Sequence, residues 1–176
     1  MSTIQYQGAI SLDGFLAGPS GDMQWMHGLD SIPSTLFDGV AEQVDVILCG
    51  ARTYRGDDPN AGTDAEGAFG GTWEGPMVVL THHPDPDPPP GVEFASDLGS
   101  AVARARALAG DGLVAVLGAD VARQCLEAGD LDEVLLLVLP VMLGDGVRVL
   151  DRPGGERVRL EVVRAEGLGL HARIVR

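Results

Sequence analysis

Apolar positions along this chain fall into short runs whose spacing alternates between period two and period 3.6, with glycine, proline and aspartate concentrated between them. Residues 4–10 read as a first strand, and residues 11–24, rich in Gly, Asp and Ser, read as an irregular loop lying over another part of the molecule. The spacing predicts a short helix over residues 33–43, with Pro33 near its first turn, followed by an apolar strand at residues 44–49. Residues 56–75 hold six glycines and little apolar content, so they read as loop. A buried strand follows at residues 76–81. The run HHPDPDPPPG after it is extended and proline-rich and cannot pair inside a sheet.

The second half repeats the alternation more clearly. Residues 92–95 form a short strand, and residues 97–109 an alanine-rich helix capped by Asp97. A strand at residues 113–117 leads to a helix at residues 119–128 that Gly129 stops. Residues 133–139 (EVLLLVL) are nearly all apolar, as in a central strand covered on both faces. Residues 157–165 and 168–175 alternate apolar with charged side chains and predict a closing antiparallel pair with one face on the core and one available. This order specifies a three-layer α/β fold, a mainly parallel central sheet with antiparallel C-terminal strands. At 176 residues it is one domain, residues 1–176.

Composition narrows the chemistry. All 12 basic residues are arginine, so lysine-dependent phosphate loops and Schiff-base mechanisms are excluded. The net charge of −14 makes nucleic acid an unsuitable partner. No apolar run approaches the ~20 residues that span a bilayer, and the N-terminal residues show no basic-then-apolar signal pattern, so a cytoplasmic protein is expected. Cys49 and Cys125 are the only thiols, and neither has a histidine at ligand spacing; both read as buried, and no metal site is expected. The first hundred residues carry 15 acids and only two cations, Arg52 and Arg55, which are either helix partners for carboxylates or an anion site.

Three strand-to-helix junctions carry the candidate chemistry, because ligands of open α/β sheets bind at the carboxyl ends of strands. In VDVILCGARTYRG, Gly50 permits a close turn, and Arg52 and Thr53 either offer a guanidinium and a hydroxyl to phosphate or serve as a solvated side chain and a cap. In VAVLGADVARQ, Gly118 precedes a helix that begins with Ala119, Asp120 and Val121, a pattern that suits either a pyrophosphate or ordinary helix entry. In VVLTHHP, Thr81, His82 and His83 end a strand. Adjacent histidines in an extended segment point opposite ways, which favours contact with a nucleotide, or a plain surface loop, over metal ligation.

AISLDGFLAGPSGDMQW, CGARTY, VVLTHHP and LGADVARQCLEAGDLDEVLLLVLPVMLGDG, in that order, resemble the dihydrofolate reductase-like superfamily. Within it the resemblance is to the bacterial branch shared with the reductase domain of the bifunctional riboflavin-pathway deaminase-reductase. It implies an eight-stranded central sheet, NADPH bound across it, and hydride transfer to a C=N or C=O group of a pterin-like or ribitylamino-pyrimidine-like substrate. It implies that the backbone of Ala9 and Leu16 meets the nicotinamide carboxamide. By the same resemblance Gly50, Arg52 and Thr53 form the phosphate turn, Thr81 and His82 lie beside the adenosine phosphate, and Gly118, Ala119, Asp120 and Val121 bind pyrophosphate. Trp25 then closes the active-site loop on the substrate side, with Asp13 and Tyr54 as further substrate-side residues.

Two carboxylates match family positions for substrate chemistry. Asp30 lies five residues after Trp25, the spacing of the substrate-binding carboxylate in dihydrofolate reductases, and it equally suits a helix cap before SIPS. Asp57 begins an Asp-Asp-Pro at the riboflavin-reductase spacing. Asp13 in SLDG has a local alternative, side-chain bonds that hold its own loop. Two positions depart from the family pattern: Ala51 replaces a cation of the phosphate turn, and Leu117 stands where Gly-Gly is usual. An NADPH-dependent reductase, homodimeric as many members of the superfamily are, is the expectation. A noncatalytic ligand-binding protein on the same fold is its alternative.

Overall fold

The structure is a computed structural model and describes residues 1–27, 29, 35–56 and 58–176. Its spine is an eight-stranded sheet. In chain order the strands are β1 (Thr3–Ser11), β2 (Phe15–Ala17), β3 (Val46–Gly50), β4 (Met77–Leu80), β5 (Val92–Ala95), β6 (Leu113–Leu117), β7 (Glu133–Leu139), β8 (Val147–Arg148), β9 (Arg159–Glu166) and β10 (Gly169–Val175). The sheet order is β5-β4-β3-β6-β1-β7-β10-β9. The first six of these neighbours pair parallel, while β10 is antiparallel to both β7 and β9. The expected fold class and the eight-stranded sheet are both present.

Strand composition explains the layers. In β3, Val46 and Leu48 face one cluster while Ile47 and Cys49 face the other, and in β6 Val114 and Val116 oppose Ala115 in the same way. Strands buried on both sides must be continuously apolar. The first cluster lies under α2 (Leu98–Ala109) and α3 (Ala119–Ala128), through Ala101, Val102, Ala105, Val121, Ala122 and Cys125. Asp97 caps α2, accepting from the Ser100 amide at 2.9 Å, and Gly129 ends α3 in the left-handed region. The opposite face is covered by Tyr54 of α1 (Ala51–Arg55) together with Ala68, Phe69 and Trp73 from the glycine-rich segment.

Four expectations need correction. Residues 11–24 are not wholly irregular: β2 pairs antiparallel with β8, and the Arg148 guanidinium sits 4.2 Å from the centre of the Phe15 ring. Three residues whose partner is about 130 positions away leave no periodicity to read. Of the helix expected over residues 33–43, residues 33 and 34 lie outside the described residues. The remainder forms turns and one 3-10 turn, Ala41–Gln43, because Gly39 adopts φ +64° and interrupts any longer helix. β7 is less covered than a central strand, since α2 and α3 lie over other strands and Leu136, Leu137 and Val138 stay half-buried. Finally, β9 is an edge strand exposed on both faces, not on one.

Candidate functional site

β3 and β6 are neighbours in register, Cys49 opposite Leu117, so the chain leaves both strands side by side and enters α1 and α3 together. Two glycines make this possible. Gly118 adopts φ +94°, and a β-carbon there would run into the Thr53 hydroxyl; one at Gly50 would lie 3.3 Å from Val121 Cγ2. Only residues without side chains let the two helix starts interlock this closely. No side chain caps α3, which leaves its first-turn amides to whatever occupies the space before them.

That space is a cavity of about 550 Å³ lined by Arg52, Ala119, Asp120 and Arg123 and, from β8 and the segment after it, by Arg148 and Arg152 among others. Arg123 is neutralised by Asp120 and Glu127, each at 2.8 Å. Arg148 is held by the Asp13 carbonyl at 2.9 Å. Arg55 is engaged away from the cavity, with the Asp85 carboxylate at 2.5 Å and the His83 carbonyl at 2.7 Å. Arg52, by contrast, makes no hydrogen bond or ion pair among the described residues. The two cations of the acidic half thus divide the two roles open to them: Arg55 is a carboxylate partner, and Arg52 lines the cavity without a hydrogen bond or ion pair among the described residues.

Asp120 sits at the start of α3 with its carboxylate turned to Arg123 and Gln124. Partial burial pushes its carboxyl up, but those hydrogen bonds and the Arg123 and Arg52 charges outweigh burial and hold it below the usual range. Its carboxylate oxygens are hydrogen-bonded within its own helix, and an anion in the cavity would meet Arg52 and the α3 amides beside it. The same geometry answers the two departures. Leu117 ends β6 packed against the second cluster, and the close approach falls on Gly118 alone. Ala51 adds no cation, but Arg148 and Arg152 enter the cavity from the other side. These two were not read from the sequence; their only signal was the concentration of arginine in the second half.

The remaining candidates distribute over the same end of the sheet. Ala9 is half-buried near the end of β1. Leu16 lies in β2, and its carbonyl accepts from Trp25 Nε1 at 3.2 Å, so Trp25 is docked on the backbone of Leu16. Thr81 follows β4, its amide bonded to the Ala95 carbonyl at 2.8 Å and its hydroxyl accepting from the His83 amide at 3.1 Å; His82 beside it is exposed. Asp13 accepts from Ser11 Oγ at 2.6 Å and from the amides of Leu143 at 3.1 Å and Gly144 at 2.8 Å. Both its oxygens are therefore engaged in holding the loop and the LGDG turn together. The Tyr54 ring packs edge-on against Phe94 of β5, 5.8 Å away, at the edge of the sheet. Asp30 and Asp57 lie outside the described residues. The described residues hold no cluster of His, Cys, Asp and Glu able to bind a metal ion, and Cys49 and Cys125 are buried, their thiols pushed up to about 12 by desolvation.

Residues 2–172 match the family described as the RibD C-terminal domain. The chain belongs to that family. Its fold is shared with solved structures, among them a Shewanella sp. PV-4 protein at 23% identity and TM-score 0.71, in which the alignment covers 100% of both chains. A Thermotoga maritima diaminohydroxyphosphoribosylaminopyrimidine deaminase/5-amino-6-(5-phosphoribosylamino)uracil reductase aligns at 20% identity and TM-score 0.62, covering 99% of this chain and 57% of that one. A Saccharomyces cerevisiae riboflavin biosynthesis reductase aligns at 17% identity and TM-score 0.60, covering 99% of this chain and 90% of that one. This RibD C-terminal domain chain therefore spans little more than half of the bifunctional relative. No match was found among curated proteins.

Proposed function

We propose that this RibD C-terminal domain protein is an NADPH-dependent reductase that reduces a C=N or C=O group of a phosphoribosylamino-pyrimidine-like or pterin-like heterocycle. The observation that carries the reading is the cavity in front of α3, where uncapped amides, an interlocked Gly118 and an unpaired Arg52 converge, in a chain of this family. The residues present suit a dinucleotide. The α3 amides of Ala119, Asp120 and Val121 take the pyrophosphate, Arg52 and Thr53 take the 2′-phosphate, and Thr81 and His82 flank the adenosine. When bound, NADPH supplies the hydride.

The chain's own residues orient and enclose the reaction. The backbone of Ala9 and Leu16 holds the carboxamide of the ring, and Trp25 closes the loop on the substrate side. Asp13 acts as a positioning residue, fixing β2 against the LGDG turn so that Leu16 keeps its place. The proton and the polar contacts to substrate come from Asp30 and Asp57. The protein works as a homodimer in the cytoplasm. Among the described residues no helix is long and apolar enough to cross a membrane. The test is titration with NADPH and NADH followed by a screen for pyrimidine-dependent oxidation of NADPH. Micromolar NADPH binding with oxidation driven by 5-amino-6-(5-phosphoribosylamino)uracil supports the reading, and absence of binding by either dinucleotide removes it.

A further inference from the structure

β1 carries two glutamines in an otherwise apolar strand, and the sheet buries both: Gln5 is 6% exposed and Gln7 3%. Ile4 and Tyr6 face the helices, so Gln5, Gln7 and Ala9 share the other face. A chain of hydrogen bonds fixes how the two amides point. Glu133 at the start of β7 accepts from His171 Nε2 at 2.7 Å and from Gln5 Nε2 at 3.0 Å. Burial pushes the Glu133 carboxyl up, but these hydrogen bonds and the nearby His171 and Arg173 outweigh it and keep Glu133 an ionised acceptor. Gln5 must therefore turn its NH2 toward Glu133 and its oxygen toward Gln7, whose NH2 donates to that oxygen at 2.8 Å. The consequence falls on the last atom. Gln7 Oε1 is held as an acceptor, is buried, and has no partner among the described residues.

A buried acceptor left without a donor is destabilising, so its persistence asks for a ligand. Gln7 lies two residues, roughly 7 Å along the strand, from Ala9 on the same face, and the strand loses its cover between them, with Gly8, Ala9 and Ile10 half-buried. We propose that Gln7 is a substrate-recognition residue: its carboxamide oxygen accepts a hydrogen bond from a ring or exocyclic N–H of the heterocycle lying beside Ala9. Glu133 is a positioning residue that sets the direction of both amides. The proposal rests on the reductase reading for the class of ligand and on the hydrogen-bond chain for the residue.

The test is a coupling cycle between ligand and protein, in which 5,6-diaminouracil and its singly N-methylated analogues are titrated into the wild-type chain, Gln7→Leu and Glu133→Gln, each checked by thermal unfolding. Wild type should bind the parent compound about tenfold more tightly than the analogue methylated at the recognised nitrogen. Gln7→Leu should bind the parent roughly tenfold more weakly and lose the discrimination. Glu133→Gln should lower the discrimination with NADPH affinity unchanged, because a neutral amide no longer dictates the direction of Gln5. A Gln7→Leu chain that discriminates as wild type does overturns the assignment, and discrimination unchanged in Glu133→Gln overturns the role of Glu133. Wild type that binds none of the probes also overturns the assignment, while NADPH oxidation with the phosphoribosyl substrate decides separately whether the reductase reading stands.

Discussion

The Thr53 hydroxyl of α1 occupies the place that a β-carbon on Gly118 would take, so the starts of the two helices that face the cavity meet there in direct contact. The φ of +94° at Gly118 adds a second reason for glycine, since side chains strain that backbone. Gly118→Ala is expected to lower stability by about 2–3 kcal/mol in denaturant unfolding and to weaken dinucleotide binding with it. In a Thr53→Ala background the penalty should shrink, because the collision is removed and only the backbone strain remains. Equal penalties in both backgrounds would show that the two helix starts are not coupled.

Arg52 and Arg55 differ in their partners and should differ in their effects. Losing a charge-assisted contact is worth ~1.5–3 kcal/mol, so Arg52→Ala should weaken NADPH binding roughly tenfold to a hundredfold while hardly changing NADH binding. Arg55→Ala removes the Asp85 pair and should leave the ratio of the two affinities unchanged. Isothermal titration of both dinucleotides into both variants checks this, and a parallel loss for NADPH and NADH in Arg52→Ala would show that Arg52 does not read the phosphate.

The tie between the residue 11–17 segment and the LGDG turn should fail in acid. The Ser11 hydroxyl and the amides of Gly144 and Leu143 hold the Asp13 carboxyl down to about 2, below its ordinary value of 3.8. A carboxylate with a depressed folded-state value stabilises the fold fully above the ordinary value, and that contribution is lost as pH falls from about 5 toward 2. Asp13→Asn should be less stable than wild type at neutral pH and show a shallower fall in stability across that window. Identical slopes in denaturant unfolding from pH 5 to pH 2 would sink the assignment.

What the sequence made legible follows from where the physical signal is local. The continuous apolar runs of β3, β4 and β6 and the caps of α2 and α3 can be read within a dozen residues, and they place Gly50, Arg52, Thr53 and Gly118 at one end of the sheet. β2 could not be read, because its cause is β8 and the Arg148–Phe15 contact far along the chain. The direction of the Tyr54 ring could not be read either, because it is set by packing against Phe94, a contact across 40 positions. The direction of the Gln7 amide is less local still, since it depends on Gln5, Glu133 and His171 from three strands at once.

Self-association is expected through the uncovered end of the sheet. β9 leaves Leu160 45%, Val162 59% and Val163 47% exposed, an apolar row that an isolated edge strand rarely presents to water. Light scattering at micromolar concentration should give about twice the 18.4 kDa chain mass. Val162→Glu should return the mass to that of one chain without unfolding it, and a wild-type chain that scatters as a monomer would exclude the dimer.

Trp25 should report the cofactor. Its indole donates to the Leu16 carbonyl at 3.2 Å, so it is fastened to the segment whose backbone is proposed to hold the nicotinamide carboxamide. Trp73, the other tryptophan, stacks edge-on against Phe69 at 6.1 Å on the opposite face, next to the segment at residues 37–42 and away from the α3 cavity. A dinucleotide that reaches from Arg52 to Ala9 changes the surroundings of the first indole and not those of the second. NADPH should therefore quench the intrinsic fluorescence, with most of the change lost in Trp25→Phe and little in Trp73→Phe. Quenching that survives Trp25→Phe undiminished would move the nicotinamide away from Leu16, and the roles given to Ala9 and Leu16 would fall with it.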